Sequence, residues 1–321
     1  MRFPTDTHLS RVLESETLTM DSPELRALLG WQEEVERRLR EHFRDSAPWI
    51  RPAGSLARGT AIRSDHDAGL ACCFACDETR AGITLEDLFE HCRRLLARHA
   101  DVEVRAPVLR VRPKSCAHAD PALPRPYVDV VPSRYVDDAS EDVLIRGAGE
   151  DRIRTSIVEQ VEFIRASRVP DALRLVRLWR ARHALALPGF VLELLVIGLL
   201  EGRESLPLDE QLRHVWSELR DHADALTVRD PATPLRNDLT PLLAPFRAAL
   251  ARAATTTLAA LREQGWESVF GPLPQPVSAR SPSRPRVVMQ RAVRERPASA
   301  RIRGVLQRLG LAFRRSYRVA G

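Results

Sequence analysis

The stretch from Gly54 to Ala75 constrains the fold more than any other part of the sequence. It reads Gly54-Ser55-Leu56-Ala57-Arg58-Gly59-Thr60-Ala61-Ile62-Arg63-Ser64-Asp65-His66-Asp67 and then enters an apolar run, Ala68 to Ala75, with strand character. A short strand, Trp49 to Pro52, leads into the Gly54-Ser55 turn, and a brief helical segment follows it. A Gly-Ser turn feeding a helix presents backbone N–H groups and a hydroxyl to a phosphate. Asp65 and Asp67 are one residue apart, so in extended chain they point the same way and can share divalent metals.

A third carboxylate, Asp129, lies in another apolar strand, Tyr127-Val128-Asp129-Val130-Val131-Pro132. Three such acids suit phosphoryl transfer, in which one metal activates the attacking hydroxyl and another neutralises the triphosphate and leaving pyrophosphate. Mg²⁺ is the natural occupant of a site built from hard oxygens, with Mn²⁺ as a substitute.

The rest of the chain divides by pattern. Ser22 caps a helix to Arg44, with Pro23 at its first position and Leu25, Leu28, Leu29, Val35 and Leu39 on one face. Thr84-Leu85-Glu86-Asp87 opens a second helix, to His99. Strand-like stretches follow at 102–104, 108–111 and 127–131, and then helices at 152–165, 172–183, 190–201, 208–225 and 239–263. Strands followed by helices predict an α+β fold with a catalytic core over 1–150 and a helical half over 151–271. After Phe270-Gly271 the composition turns to Pro, Ser and Arg, the signature of a linker.

Charge is unevenly placed. Residues 272–321 hold twelve Arg, no Lys and one acid, Glu295, a net of +11. The whole chain is +6, so residues 1–271 carry −5, and the high overall charge is no argument that the core binds nucleic acid. Within the tail, 300–317 has the spacing of a basic amphipathic helix, suited to nucleic acid, anionic membrane or an acidic partner. No apolar run approaches a membrane span of roughly 20 residues. The N-terminus lacks a signal-peptide core, and five unpatterned cysteines fit a reduced, cytoplasmic setting. Cys72 and Cys73 face opposite sides of a strand and so make a poor zinc pair. His66 points away from its acidic neighbours. Glu193, in an otherwise apolar helix, reads as a buried carboxylate paired with an Arg.

The Gly54–Asp67 segment resembles the Gly-Ser…Asp-x-Asp motif of the polymerase β superfamily, and Gly59-Thr60-Ala61-Ile62-Arg63 resembles its oligoadenylate synthetase and cGAS-like branch. Leu173 to Arg180, Leu187 to Leu195, Val228-Arg229-Asp230-Pro231…Pro234…Asn237-Asp238 and Trp266 to Gly271 are similar to that branch's later markers. The resemblance implies a polymerase β-type nucleotidyltransferase core, a mixed sheet flanked by helices, then a helical half, bilobal with a central cleft. It implies NTP substrates and a cyclic or short linear oligonucleotide product serving bacterial anti-phage defence, with a defence effector or regulatory protein as partner. Gly54 and Ser55 would cradle the triphosphate, Arg177 would contact it from the helical half, and Gly189 would adjoin the phosphates.

The sequence departs from that pattern in three places. The acidic pair has two registers: Asp65 with Asp67, which is intact and is the reading carried forward, or Asp67 with position 69, which is Gly and cannot ligate. Arg177 stands where the branch usually has Lys, and Gly189 where it usually has Ser. These departures keep a second hypothesis open, a catalytically degenerate protein that senses a nucleotide or serves a partner. A third keeps the enzyme and changes the acceptor to tRNA, DNA or protein.

Overall fold

The computed structural model describes residues 4–105, 107–114, 125–147, 152–233 and 237–272. Most of the Arg-rich tail, including 300–317, lies outside the described residues, as do Cys116 and Pro234. Met1–Pro274 groups as one unit.

A seven-stranded mixed sheet carries the first half. Its strands are β1 (Trp49–Ala53), β2 (Ala68–Phe74), β3 (Ala100–Arg105), β4 (Val108–Pro113), β5 (Val128–Tyr135), β6 (Val143–Arg146) and β7 (Arg152–Thr155), in the order β1-β2-β5-β4-β3, with β6 beside β5 and β7 beside β6. Only β2 and β5 run parallel, and every residue of β2 is buried, which explains its unbroken apolar sequence. Helices α2 (Pro23–His42) and α4 (Leu85–Ala97) cover one face, placing Leu28, Val35, Leu39, Leu88, Phe89 and Cys92 over Leu70, Cys72 and Phe74. A capping box opens α4, in which Asp87 N–H donates to Thr84 Oγ1 at 3.1 Å and Thr84 N–H donates to Asp87 Oδ2 at 2.9 Å.

The second half is helical: α5 (Ile157–Arg165), α6 (Pro170–Arg182), α7 (Gly189–Leu199), α8 (Leu208–Asp221), α9 (Thr240–Leu243), α10 (Arg247–Gln264) and α11 (Trp266–Phe270). They close around Leu175, Trp179, Leu195 and Trp216. The aromatics of the last motif pack here, with Trp266 and Phe270 stacked at 6.0 Å. Among the described residues, no helix is long and apolar enough to cross a membrane. The other end of the chain joins this half too. The brief helical segment expected after the turn is α3 (Gly54–Arg58), whereas helix α1 (Pro4–Glu16), which the sequence reading did not expect, buries Leu9 and Val12 in the helical core.

Two expected helices need correction. Residues 152–165 are not one helix: Arg152–Thr155 pairs with β6, and Ser156 caps the true helix by accepting from Glu159 N–H at 3.2 Å. Ile153, Ile157 and Ile164 fit a helical stripe, but Arg-Ile-Arg-Thr also alternates with a period of two, and ladder pairing decides. Residues 239–263 are likewise broken, into α9, a 3₁₀ turn Ala244–Phe246 and α10, because Pro245 cannot donate to a helical hydrogen bond. The Asp230 motif works as a brace. Its carboxylate accepts from Thr155 Oγ1 at 2.5 Å and from Asn237 Nδ2 at 2.8 Å, tying β7 to the helical half.

Candidate nucleotide site and its arginine cluster

The site is built where the two cores meet, on the segment between β1 and β2. Gly54 has φ +79°, and a Cβ there would lie 2.6 Å from Asp67 Oδ2, so only glycine fits the turn. Ser55 is fully buried, and its N–H donates to Asp67 Oδ2 at 3.0 Å. Its hydroxyl accepts from Asp67 N–H at 2.9 Å and donates to Asp67 O at 3.2 Å. The Gly-Ser turn is therefore closed by the carboxylate and backbone of Asp67, on groups the sequence assigned to a phosphate.

Ladder pairing sets the register of the acids. In the parallel β2–β5 pair, Gly69 lies opposite Asp129. Asp67 sits two residues before Gly69, just ahead of the strand, and Asp65 lies beyond the sheet in an isolated bridge with Ile62. Hence the residue beside Asp129 on the same end of the sheet is a glycine. A Cβ at 69 would come within 2.9 Å of Ala53 C and Gly54 N, so the strand is packed tightly against the turn there.

Every carboxylate in the cluster faces an arginine. Asp65 Oδ2 accepts from Arg180 Nη2 at 2.5 Å and lies 3.2 Å from Arg177 Nη2. Asp67 Oδ1 accepts from Arg177 Nη2 at 3.2 Å. Glu193 accepts from Arg58 Nε at 2.5 Å, Thr60 Oγ1 at 2.6 Å and Arg177 Nη1 at 2.8 Å, fulfilling the expectation of a buried carboxylate paired with Arg. Arg177 and Glu193 are each only 1% exposed. On the other side, Arg110 grips Asp129 with two bonds of 2.8 Å and stacks over the Tyr127 ring at 4.0 Å.

These contacts shape the protonation states. Burial pushes the Asp67 carboxyl up, but the charges of Arg58 and Arg177 and the Ser55 hydrogen bonds outweigh it and hold it below the usual carboxylate range. Asp129 goes the other way: burial raises it, and Arg110 only partly offsets that rise. Burial and then the Asp67 charge push the Tyr127 hydroxyl up to about 12. For Arg177, burial opposes the charge, but Glu193, Asp65 and Asp67 keep it firmly protonated.

The divalent site expected of Asp65, Asp67 and Asp129 was tested on this donor set. Among the described residues, no group of three or more His, Cys, Asp or Glu is arranged to hold a metal ion. Asp129 has both oxygens engaged by Arg110, Asp65 is held by Arg180, and Asp67 is shared between Ser55 and Arg177. Arg177 Nε and Arg180 Nε are buried donors without acceptors, a set that attracts anionic oxygen rather than a cation. The residues present do not fit a divalent pair.

Arg58 and Arg180 entered the sequence reading only as letters of its motifs, and Arg110 not at all, so none was given a role. Each pairs across a long separation or between strands, and no local pattern announces that. His66 Nδ1 turns back to Arg63 O at 3.0 Å, away from the acids. Beside Asp65 opens a cavity of about 200 Å³, lined by Glu24, Arg63, His66, Arg125 and Tyr127 among others.

No protein-family model and no curated protein matches the chain. Solved structures do. E. coli MS115-1 CdnC in complex with HORMA-deltaN is 20% identical, with 85% of this chain and 98% of that chain covered and a TM-score of 0.61. The Bradyrhizobium diazoefficiens CD-NTase CdnG in complex with GTP is 16% identical, covering 84% and 95%, with a TM-score of 0.61. Elizabethkingia meningoseptica CdnE cyclic dinucleotide synthase with GTP and Apcpp is 13% identical, covering 81% and 99%, with a TM-score of 0.55. At these identities the likeness speaks for architecture, and the architecture of this chain is the CD-NTase fold.

Proposed function

We propose that this protein recognises a nucleotide on a nucleotidyltransferase fold without turning it over. The observation that carries this reading is the register of β2 against β5. It puts Gly69, which has no oxygen to offer, opposite Asp129. A two-metal centre needs acids in excess of local positive charge. Here Asp65, Asp67 and Glu193 are matched by Arg58, Arg177 and Arg180, and Asp129 by Arg110.

Recognition is supported by the cavity beside Asp65, where Tyr127 offers an aromatic ring to a base. CdnC with ATP and CdnG with GTP are neighbours in fold. A regulatory protein partner belongs to the same proposal, by analogy with the CdnC:HORMA-deltaN complex. So do a role in bacterial defence and a cytoplasmic setting.

One observation favours a second reading, a Mg²⁺- or Mn²⁺-dependent nucleotidyltransferase. The charges of Asp67, Asp129 and Asp65 all raise the Tyr127 hydroxyl, so the three acids lie around one side chain. Incubation with the four NTPs and either metal, beside an Asp67→Ala control and read by mass spectrometry, separates the two. The recognition reading expects no new phosphodiester and nucleotide binding that persists in EDTA. A phosphodiester product absent from the control establishes the transferase. Neither binding nor product would remove the nucleotide from the account and leave the protein partner.

A further inference from the structure

We infer that Arg177, Arg180 and Gly189 form one internal cation site: the glycine admits two guanidinium groups, of which Arg177 bridges Asp65 and Asp67 and Arg180 holds Asp65. This rests on the reading that the acids hold no divalent pair, and it names what they hold instead.

Three observations converge on it. The first is space. A Cβ at position 189 would lie 2.7 Å from Arg177 Nη1 and 3.3 Å from Arg180 Nη1, too close for the first and tight for the second. Gly189 begins α7 as Arg177 and Arg180 project from α6, so any larger residue there meets both guanidiniums. The backbone at 189 is not left-handed, since Gly189 is absent from the glycines with positive φ. Room for the neighbouring arginines, rather than backbone freedom, is what this glycine supplies.

The second is anchorage. Arg177 donates to Glu193 Oε1, Asp65 O and Asp67 Oδ1 at 2.8, 3.1 and 3.2 Å. Arg180 donates to Asp65 Oδ2 and Leu187 O at 2.5 and 2.6 Å. Each planar fork is thus pinned from at least two directions by the chain itself, which an arginine awaiting a ligand is not.

The third is charge. Arg58, Arg177 and Arg180 face Asp65, Asp67 and Glu193, three cations to three anions, and Arg177 is 1% exposed. An added divalent ion would meet a neutral cluster whose nearest fixed groups are guanidiniums. Removing one arginine would leave its partner acids buried and uncompensated.

The inference is tested by a double-mutant cycle on the full chain, with Gly189→Ser introduced alone and together with Arg177→Lys, each followed by urea unfolding. A lysine has no Nη1 to collide with the new Cβ. Gly189→Ser is expected to raise the unfolding constant about thirty-fold in the native background and under about threefold beside Arg177→Lys, a coupling within the range seen for residues in contact. Equal effects in both backgrounds would overturn the inference. Should Arg177→Lys fail to fold, ¹⁵N-arginine NMR of the unaltered protein gives an independent reading. Two guanidiniums with slow rotation and no paramagnetic broadening by added Mn²⁺ support the internal site, and fast rotation or Mn²⁺ broadening of both contradicts it. Turnover of NTPs would overturn the recognition reading while leaving the Gly189–Arg177 coupling to stand or fall separately.

Discussion

Two arginine–carboxylate networks in this protein use the same chemistry to different ends. Along α2, Glu34, Arg37, Arg38, Glu36, Arg40 and Glu41 form pairs of 2.5–2.8 Å at helical spacing, with side chains from a quarter to half exposed. Around Arg177, the pairs join α3, α6 and α7 to the loop before β2, and Arg177 and Glu193 are sealed from water. Pairs of the first kind are screened by salt and add little to stability. The second kind must remain complete, because losing one member strands a buried charge. Distance alone does not separate them; burial and sequence separation do. The lesson for the site is that its acids are committed to the fold before any ligand arrives.

The comparison can be broken most severely at Glu193. Glu193→Ala should cost about 3–5 kcal/mol, because it leaves Arg58 and Arg177 without their shared partner. Urea denaturation checks this, and a loss no larger than that of an α2 variant would erase the distinction. Asp129→Ala removes both acceptors from Arg110, in a pair that still reaches solvent. Its expected cost is about 1–2 kcal/mol, reflecting one charge-assisted interaction at partial burial. Glu34→Gln stands at the other end: its urea midpoint should match the unaltered protein within error, above all in about 0.5 M salt, roughly three times physiological ionic strength.

The finest probe is pH. Asp67, held low, gives stability that is present above its unfolded value of about 4 and is lost as pH falls through its lower folded value. Asp129, held high, has the opposite sign: between about pH 4 and its raised value the folded state binds more protons, so its contribution weakens as pH rises through that window. Carboxyl ¹³C NMR should therefore show Asp129 titrating above about pH 4 and Asp67 below it. Titration in the reverse order would show that burial and arginine contact have been assigned to the wrong acids.

How far the sequence could be read depended on the range of the interactions. The Gly54-Ser55 turn, β2, the capped helix at Thr84 and the helical second half are local signals, and each was legible. Helix α1 was missed because only Leu9, Val12 and Leu13 mark its face. Strands β6 and β7, four residues each, are too short for a period of two to outweigh other readings. The acidic pair was the hardest case, because two registers align and the sequence favoured Asp65 with Asp67 only for being intact, over Asp67 with Gly69. The pairing of Gly69 with Asp129, on which the recognition reading rests, exists only in the folded sheet. Arg180 and Arg58 reach partners 115 and 135 residues away, a relation that exists only after folding. The three departures noted in the sequence gain meaning in the same way: two of them, Arg177 and Gly189, are in contact.

Mn²⁺ binding to the purified full chain, followed by electron paramagnetic resonance beside an Asp67→Ala variant, tests the central claim most directly. If arginines compensate these acids, the free Mn²⁺ signal should be the same with the unaltered protein, the variant and a buffer blank. Depletion of free Mn²⁺ by the unaltered protein, lost in Asp67→Ala, would show that the acids hold metal after all and would return the site to catalysis.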